Sequence, residues 1–81
     1  MFYVYILKSL KTAKYYIGHS DDIVQRVDEH NKGLSSYTRS GRPWQMVYTE
    51  QYETRGAAMK REAEIKKRKS RKYIVSLVGK D

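Results

Sequence analysis

The chain has 81 residues, with seventeen Lys and Arg against nine Asp and Glu and a formal net charge of +8 at neutral pH. At that length one hydrophobic core must serve everything, so a single domain over residues 1–81 is expected; the cationic excess points to nucleic acid as partner, with plain solubility as the bland alternative. The sequence holds no cysteine and two histidines, which excludes disulfides, thiolate zinc sites and His-rich metal cages and leaves a hard, oxygen-bound cation as the metal class composition permits.

Phe2 to Ser9 is rich in Tyr, Val, Ile and Leu and reads as a strand. Its apolar run ends at Lys8, too short for a membrane span or a secretory leader. No basic helix shows a broad apolar face suited to an anionic membrane, so a cytoplasmic protein without a membrane partner is expected. Leu10 to Lys14 is a polar turn, and Tyr15 to Gly18 begins a second strand that completes a hairpin. Asp21 and Asp22 suit a helix N-cap and first turn, after which Ile23, Val27, His30 and Asn31 recur at helical spacing until Gly33 stops the helix. Leu34 to Pro43 is a polar loop whose Arg39 and Arg42 face water, where they can touch phosphates. Trp44 to Tyr52 alternates large and polar side chains as a third strand, which places Met46 and Tyr48 on one face and Val47 and Thr49 on the other. Thr54 caps a long helix from Arg55 to Arg68; Ser70 breaks or re-caps the chain before a short helix with Tyr73, Ile74, Leu77 and Val78 on one side, ended by Gly79. The order is β-β-α-β-α-α, an α/β sandwich, and nothing in it signals an oligomeric state.

Tyr3-Val4-Tyr5 on the first strand, Tyr16-Ile17-Gly18 on the second, Arg26 and His30 on the next helix and Glu62 on the long helix occur in this order. In that arrangement the sequence resembles the GIY-YIG nuclease superfamily, in particular its small single-domain members. Tyr3 stands where the name motif has glycine, while the tyrosine that carries chemistry, Tyr5, is kept. The resemblance covers almost the whole chain and implies a three-stranded antiparallel sheet flanked by three helices. It also implies a phosphodiester-cleaving site built from Tyr5, Tyr16, Arg26, His30 and Glu62, with Glu62 as the metal-binding glutamate.

Each of these residues also has an ordinary reading. Arg26 falls beside Ile23 and Val27 on the helix surface: it either pairs with Asp22 or Glu29, or reaches over the sheet to a phosphate whose growing charge its planar fork stabilises. His30 is a core-edge histidine or an acid, base or water-positioner. Glu62 and Glu64 point about 200° apart. Glu62 shares the apolar stripe with Ala58 and Ile65, whereas Glu64 falls with Lys60, Lys67 and Arg68 on the wet side. A carboxylate on that stripe needs a partner, either Arg26 or Lys66, or one divalent ion, Mg²⁺ or Mn²⁺, completed by water and phosphate oxygens.

Tyr5 and Tyr16 would be plain sheet residues in most proteins. Read as site residues, Tyr5 orients a water or phosphate, and Tyr16 transfers a proton with help from nearby cations such as Lys14 or His19. Gly18 either lets backbone approach the site or ends a strand. Lys66, Lys67, Arg68, Lys69, Arg71 and Lys72 form either a phosphate-backbone rail or a solvated helix end. Trp44 and Tyr37 are candidates for stacking on unpaired bases, with core packing the alternative for Trp44. Together these readings indicate a divalent-metal-dependent DNA endonuclease that selects structure rather than sequence, then a nucleic-acid-binding module of the same fold that cleaves weakly or not at all, then a protein-interaction accessory domain.

Overall fold

The computed structural model describes residues 1–68 and 70–79. Strands β1 (Phe2–Ser9), β2 (Tyr15–Ser20) and β3 (Trp44–Tyr52) form an antiparallel sheet in the order β2-β1-β3, with helices α1 (Ile23–Asn31), α2 (Arg55–Arg68) and α3 (Arg71–Val78) around it. This is the β-β-α-β-α-α order and the fold that the sequence implied. Asp22 caps α1 by accepting a 3.0 Å hydrogen bond from the Gln25 amide, Thr54 Oγ1 does the same for Ala57 at the start of α2, and Ser70 for Tyr73 at the start of α3. Beyond α1, Gly33 takes a φ of +77°, a left-handed conformation that side chains with a Cβ rarely adopt.

The central strand builds two cores because successive side chains leave opposite faces. Val4 and Ile6 pack with Ile17, Ala58, Ile65 and Leu77 under α2 and α3. Tyr5 and Leu7 pack with Trp44, against Tyr16, Ile23 and Val27 under α1. Tyr5, the candidate site residue on β1, therefore faces α1, and the larger aliphatic core lies behind it.

Three local expectations change. The second strand runs past Gly18 to Ser20, so Gly18 does not end it. The polar loop contains a short 3₁₀ turn, Arg39–Gly41. Third, the alternation expected for β3 breaks: Ile6 pairs with Tyr48 but Leu7 pairs with Met46, which leaves Val47 as an extra residue in a bulge. Val47 and Tyr48 consequently both pack toward the α2 core, while Met46 turns to the other face and is 40% exposed. The bulge lets one strand give Trp44 to the α1 side and Tyr48, Glu50 and Tyr52 to the α2 side.

Glu50 is the polar centre of that second side. Its carboxylate accepts hydrogen bonds from the Tyr48 and Tyr52 hydroxyls at 2.5 and 2.6 Å and from Arg61 Nε and Nη2 at 2.8 and 3.0 Å. Burial pushes this carboxyl up, but the bonds from Arg61, Tyr48 and Tyr52 outweigh it and bring it down to about 2. A folded-state value below the ordinary one contributes stability above the ordinary value, and that contribution is lost as pH falls. Glu50→Gln should therefore cost on the order of 2–3 kcal/mol at neutral pH. In urea unfolding, the gap between wild type and variant should close as pH drops from about 4.5 to about 2; a gap independent of pH would contradict this account.

Candidate functional site

Tyr5 stands directly across from Gly18 in the hairpin register. A Cβ at Gly18 would lie 2.5 Å from the Tyr5 hydroxyl oxygen and 2.7 Å from ring carbon Cζ, so the glycine of Tyr16-Ile17-Gly18 is the space into which the Tyr5 ring lies. From there the Tyr5 hydroxyl is 3.2 Å from His30 Nε2, and His30 Nδ1 is 2.7 Å from Thr38 Oγ1. All three residues are buried. Burial, and then the Arg26 charge, lowers the His30 pKa, while burial, and then the Tyr16 ring hydroxyl, raises that of Tyr5. Both groups are consequently neutral at pH 7. A neutral imidazole has one donor and one acceptor nitrogen, so the line carries protons in one direction at a time: Tyr5 donates to Nε2 while Nδ1 donates to Thr38, or the order is reversed throughout.

Above this line lies an open cleft of about 230 Å³ walled by Tyr16, Arg26, Glu29 and Leu34, with His30 at its base. The Tyr16 ring meets His30 edge-on at 5.0 Å between centroids and Trp44 at 6.3 Å. Arg26 Nε lies 3.2 Å from Glu29 Oε1, and that guanidinium is nearly half exposed. The ordinary pairing expected for Arg26 is thus present, yet the same side chain walls the cleft.

Glu62 lies on the α2 side. Its Oε2 accepts from Lys66 Nζ at 2.6 Å, and its Oε1 lies 2.6 Å from His19 Nδ1. Burial pushes the Glu62 carboxyl up, but the bonds from Lys66 and His19 overcome that and hold it below the ordinary carboxylate range. Lys66 Nζ also stands 5.9 Å from the centre of the Tyr16 ring. Tyr5, Tyr16, Arg26 and His30 are thus gathered on the α1 side, whereas Glu62 does not wall that cleft and is linked to it through Lys66, whose ammonium stands near the Tyr16 ring. Glu64 points away and pairs with Arg61, as its helical phase required.

No group of three or more His, Asp or Glu side chains suited to a metal occurs among the described residues. The donor set is one carboxylate with both oxygens already engaged. It fits a hard cation that keeps most of its waters and takes further ligands from substrate phosphates, and does not fit a closed protein cage.

His19, expected from the sequence as a candidate cation beside Tyr16, instead faces α2 and contacts Glu62. The signal was available in the β2 alternation: with Tyr16 and Gly18 facing α1, Ile17 and His19 must face α2. Of the basic run, Lys66 is tied to Glu62, Arg68 lies over the Tyr73 ring at 4.1 Å and Arg71 over the Tyr15 ring at 5.1 Å, while Lys67 and Lys72 are exposed. Lys69 lies outside the described residues. Arg39 Nε donates to the Gly33 carbonyl and Arg42 Nε to the Arg39 carbonyl, and both border an open pocket with Lys11 and Asn31. Trp44 is core, its Nε1 donating to the Thr38 carbonyl at 2.8 Å.

The tight seat of Tyr5 generates a direct test. Gly18→Ala should cost about 1–3 kcal/mol because the added methyl collides with a ring that buried neighbours prevent from retreating. Combined with Tyr5→Ala, which vacates the seat, the two costs should be clearly non-additive in urea melts. Strict additivity would refute the contact as the cause.

Residues 1–74 match the family model described as the GIY-YIG catalytic domain. A UPF0213 protein of Staphylococcus saprophyticus is 45% identical over 65 residues, 79% of this chain and 78% of that protein, and a UPF0213 protein of Staphylococcus aureus aligns to the same extent. The solution NMR structure of a UPF0213 protein from Bacillus halodurans superposes with a TM-score of 0.58 at 34% identity, covering 98% of this chain and 84% of that one. With that model matched over residues 1–74 and the UPF0213 relatives aligned over most of its length, this chain belongs to the GIY-YIG family.

Proposed function

We propose that the chain is an endonuclease that hydrolyses phosphodiester bonds in DNA with the help of one Mg²⁺ or Mn²⁺ ion. The observation that carries this reading is that the Tyr16 ring and the Arg26 guanidinium wall one open cleft over the buried Tyr5–His30–Thr38 line. A phosphate entering the cleft draws Arg26 from Glu29, an exchange with a low cost because exposed ion pairs of this kind are worth about 0–1 kcal/mol. The guanidinium then neutralises charge growing on the phosphoryl oxygens, which is where electrostatic catalysis has its largest effect. Tyr16 faces the same space and is the group placed to pass a proton to or from the attacking water. Tyr5 and His30, both closed to solvent, act as positioning residues: they fix the floor on which Tyr16 rests. Glu62 is the residue that would hold the cation, and when bound the ion supplies Lewis-acid stabilisation and a more acidic water. With +8 net charge and Lys67 and Lys72 exposed, the phosphate backbone provides the rest of the affinity.

A second reading is favoured by one observation: both Glu62 oxygens are already engaged by His19 and Lys66. A carboxylate locked in that state would leave a nucleic-acid-binding module that does not cut. The readings separate in nicking assays on flapped, branched and plain duplex DNA with Mg²⁺ or Mn²⁺, run beside binding titrations. Arg26→Ala should lower the cleavage rate far more than affinity, and Lys at that position should rescue only in part. Tyr16→Phe should cut turnover roughly 10²-fold with binding intact. Glu62→Gln should abolish metal-dependent nicking, while Glu64→Gln leaves it nearly unchanged. Wild-type protein that binds every substrate and cuts none would select the binding module.

Affinity itself should fall steeply between about 50 and 200 mM salt as counterions compete for the phosphates. A flat salt response would mean that the basic surface is not a nucleic-acid surface.

A further inference from the structure

Tyr37 is 84% exposed, yet the chain on its C-terminal side is held fast. Thr38 is buried, its hydroxyl bonded to His30 and its carbonyl accepting from both the Trp44 indole and the Gly41 amide. Single exposed aromatics need no explanation in general. This one differs in position: its ring centre is 5.9 Å from that of Tyr16, at an interplanar angle of 52°. Tyr37 and Tyr16 together border two adjoining clefts, of about 440 and 260 Å³, the first with Lys66 in its wall and the second with Lys14. The larger lies within the roughly 300–1,000 Å³ range of small-ligand sites.

We propose that Tyr37 is a stacking platform for an unpaired base of a DNA strand, which it holds one step from the phosphate at Tyr16. An aromatic face kept in water by a rigid backbone, with ammonium groups on either side, is the combination that binds single strands without reading sequence. A base inside a duplex is stacked on its neighbours and does not present its face to Tyr37. The platform therefore selects single-stranded segments, which gives a physical source to the preference for structure over sequence expected from the sequence. The tilt between the two rings means that the base stacks on Tyr37 alone and is not sandwiched. This inference rests on the nuclease reading only for its consequence; the stacking itself is independent of cleavage.

The test is metal-free binding of the full chain to short oligothymidine, to the same strand with abasic sites, to oligouridine and to a blunt hairpin duplex. Tyr37→Ala should weaken oligothymidine binding roughly 5- to 100-fold, while duplex and abasic-strand affinities stay within about twofold, since phosphate contacts are untouched. Tyr37→Trp should preserve affinity and show fluorescence quenching on oligothymidine but not on the abasic strand. Equal loss on duplex and single strand, or unchanged oligothymidine affinity in Tyr37→Ala, overturns the proposal. Much tighter binding of oligouridine than oligothymidine overturns the assignment to DNA. If stacking holds but no substrate is cut when Mg²⁺ or Mn²⁺ is added, the nuclease reading fails and the platform stands; cleavage beside an oligothymidine affinity that Tyr37→Ala leaves unchanged keeps the nuclease and removes the platform.

Discussion

A single buried imidazole ties together the side of the molecule that faces α1. His30 sits on that helix, bonds the central strand through Tyr5 and the polar loop through Thr38, and Thr38 in turn holds β3 by accepting from the Trp44 indole. Each link is a polar group removed from water, so losing any one strands its partner and costs more than the bond itself contributes. Asn31, next along the helix, reinforces the arrangement by clamping the Trp44 backbone from both sides, accepting from its amide and donating to its carbonyl. The loop that carries Tyr37 is held from below by the bonds of Thr38 to His30 and Trp44 and of Ser9 to the Gly41 carbonyl, and braced by Arg39 against Gly33.

The two faces of the sheet use opposite electrostatic strategies. Under α1 the polar groups are neutral, because burial moves the phenol and the imidazole away from ionisation. Under α2 the carboxylates are ionised and held by donors: Glu50 by Arg61 and two tyrosine hydroxyls, Glu62 by Lys66 with His19 alongside. For a chain with this much positive charge the division has a reason. Carboxylates on the α2 side are neutralised by neighbouring cations, and the α1 cleft keeps Arg26 close to water, paired with a half-buried glutamate, Glu29.

The elements were legible in the sequence because their signals are local: caps at Asp22, Thr54 and Ser70, an aliphatic run at Phe2 to Ser9, and helical spacing in α3. So was the split between Glu62 and Glu64, which follows from helical phase. The bulge at Val47 was not, since nothing in Trp44 to Tyr52 distinguishes an inserted residue from simple alternation. The Glu50 network was missed for another reason: its members are eleven residues apart on a strand and a helix, and only the docking of α2 brings Arg61 to Glu50. Gly18 had two readings as a letter in a motif and one once Tyr5 lay across it. Arg39 and Arg42 face water as their loop position indicates, while their Nε atoms also brace the loop that bears them.

The resting charges of the site set unequal costs for the two rearrangements that catalysis would require. Arg26 has one partly exposed partner three residues away, a contact that salt and any phosphate displace at about 0–1 kcal/mol. Glu62 is mostly shielded from water and shares its two oxygens between an ammonium and an imidazole. Admitting a cation means moving Lys66 off Oε2, and Lys66 is also the group poised over the Tyr16 ring. A phosphate arriving beside Tyr16 offers Lys66 a new counter-ion just where the lysine already points. On the nuclease reading, the substrate would draw the lysine away and free the carboxylate, so that a strand and a metal ion would favour each other's binding while neither would find a fully prepared site alone.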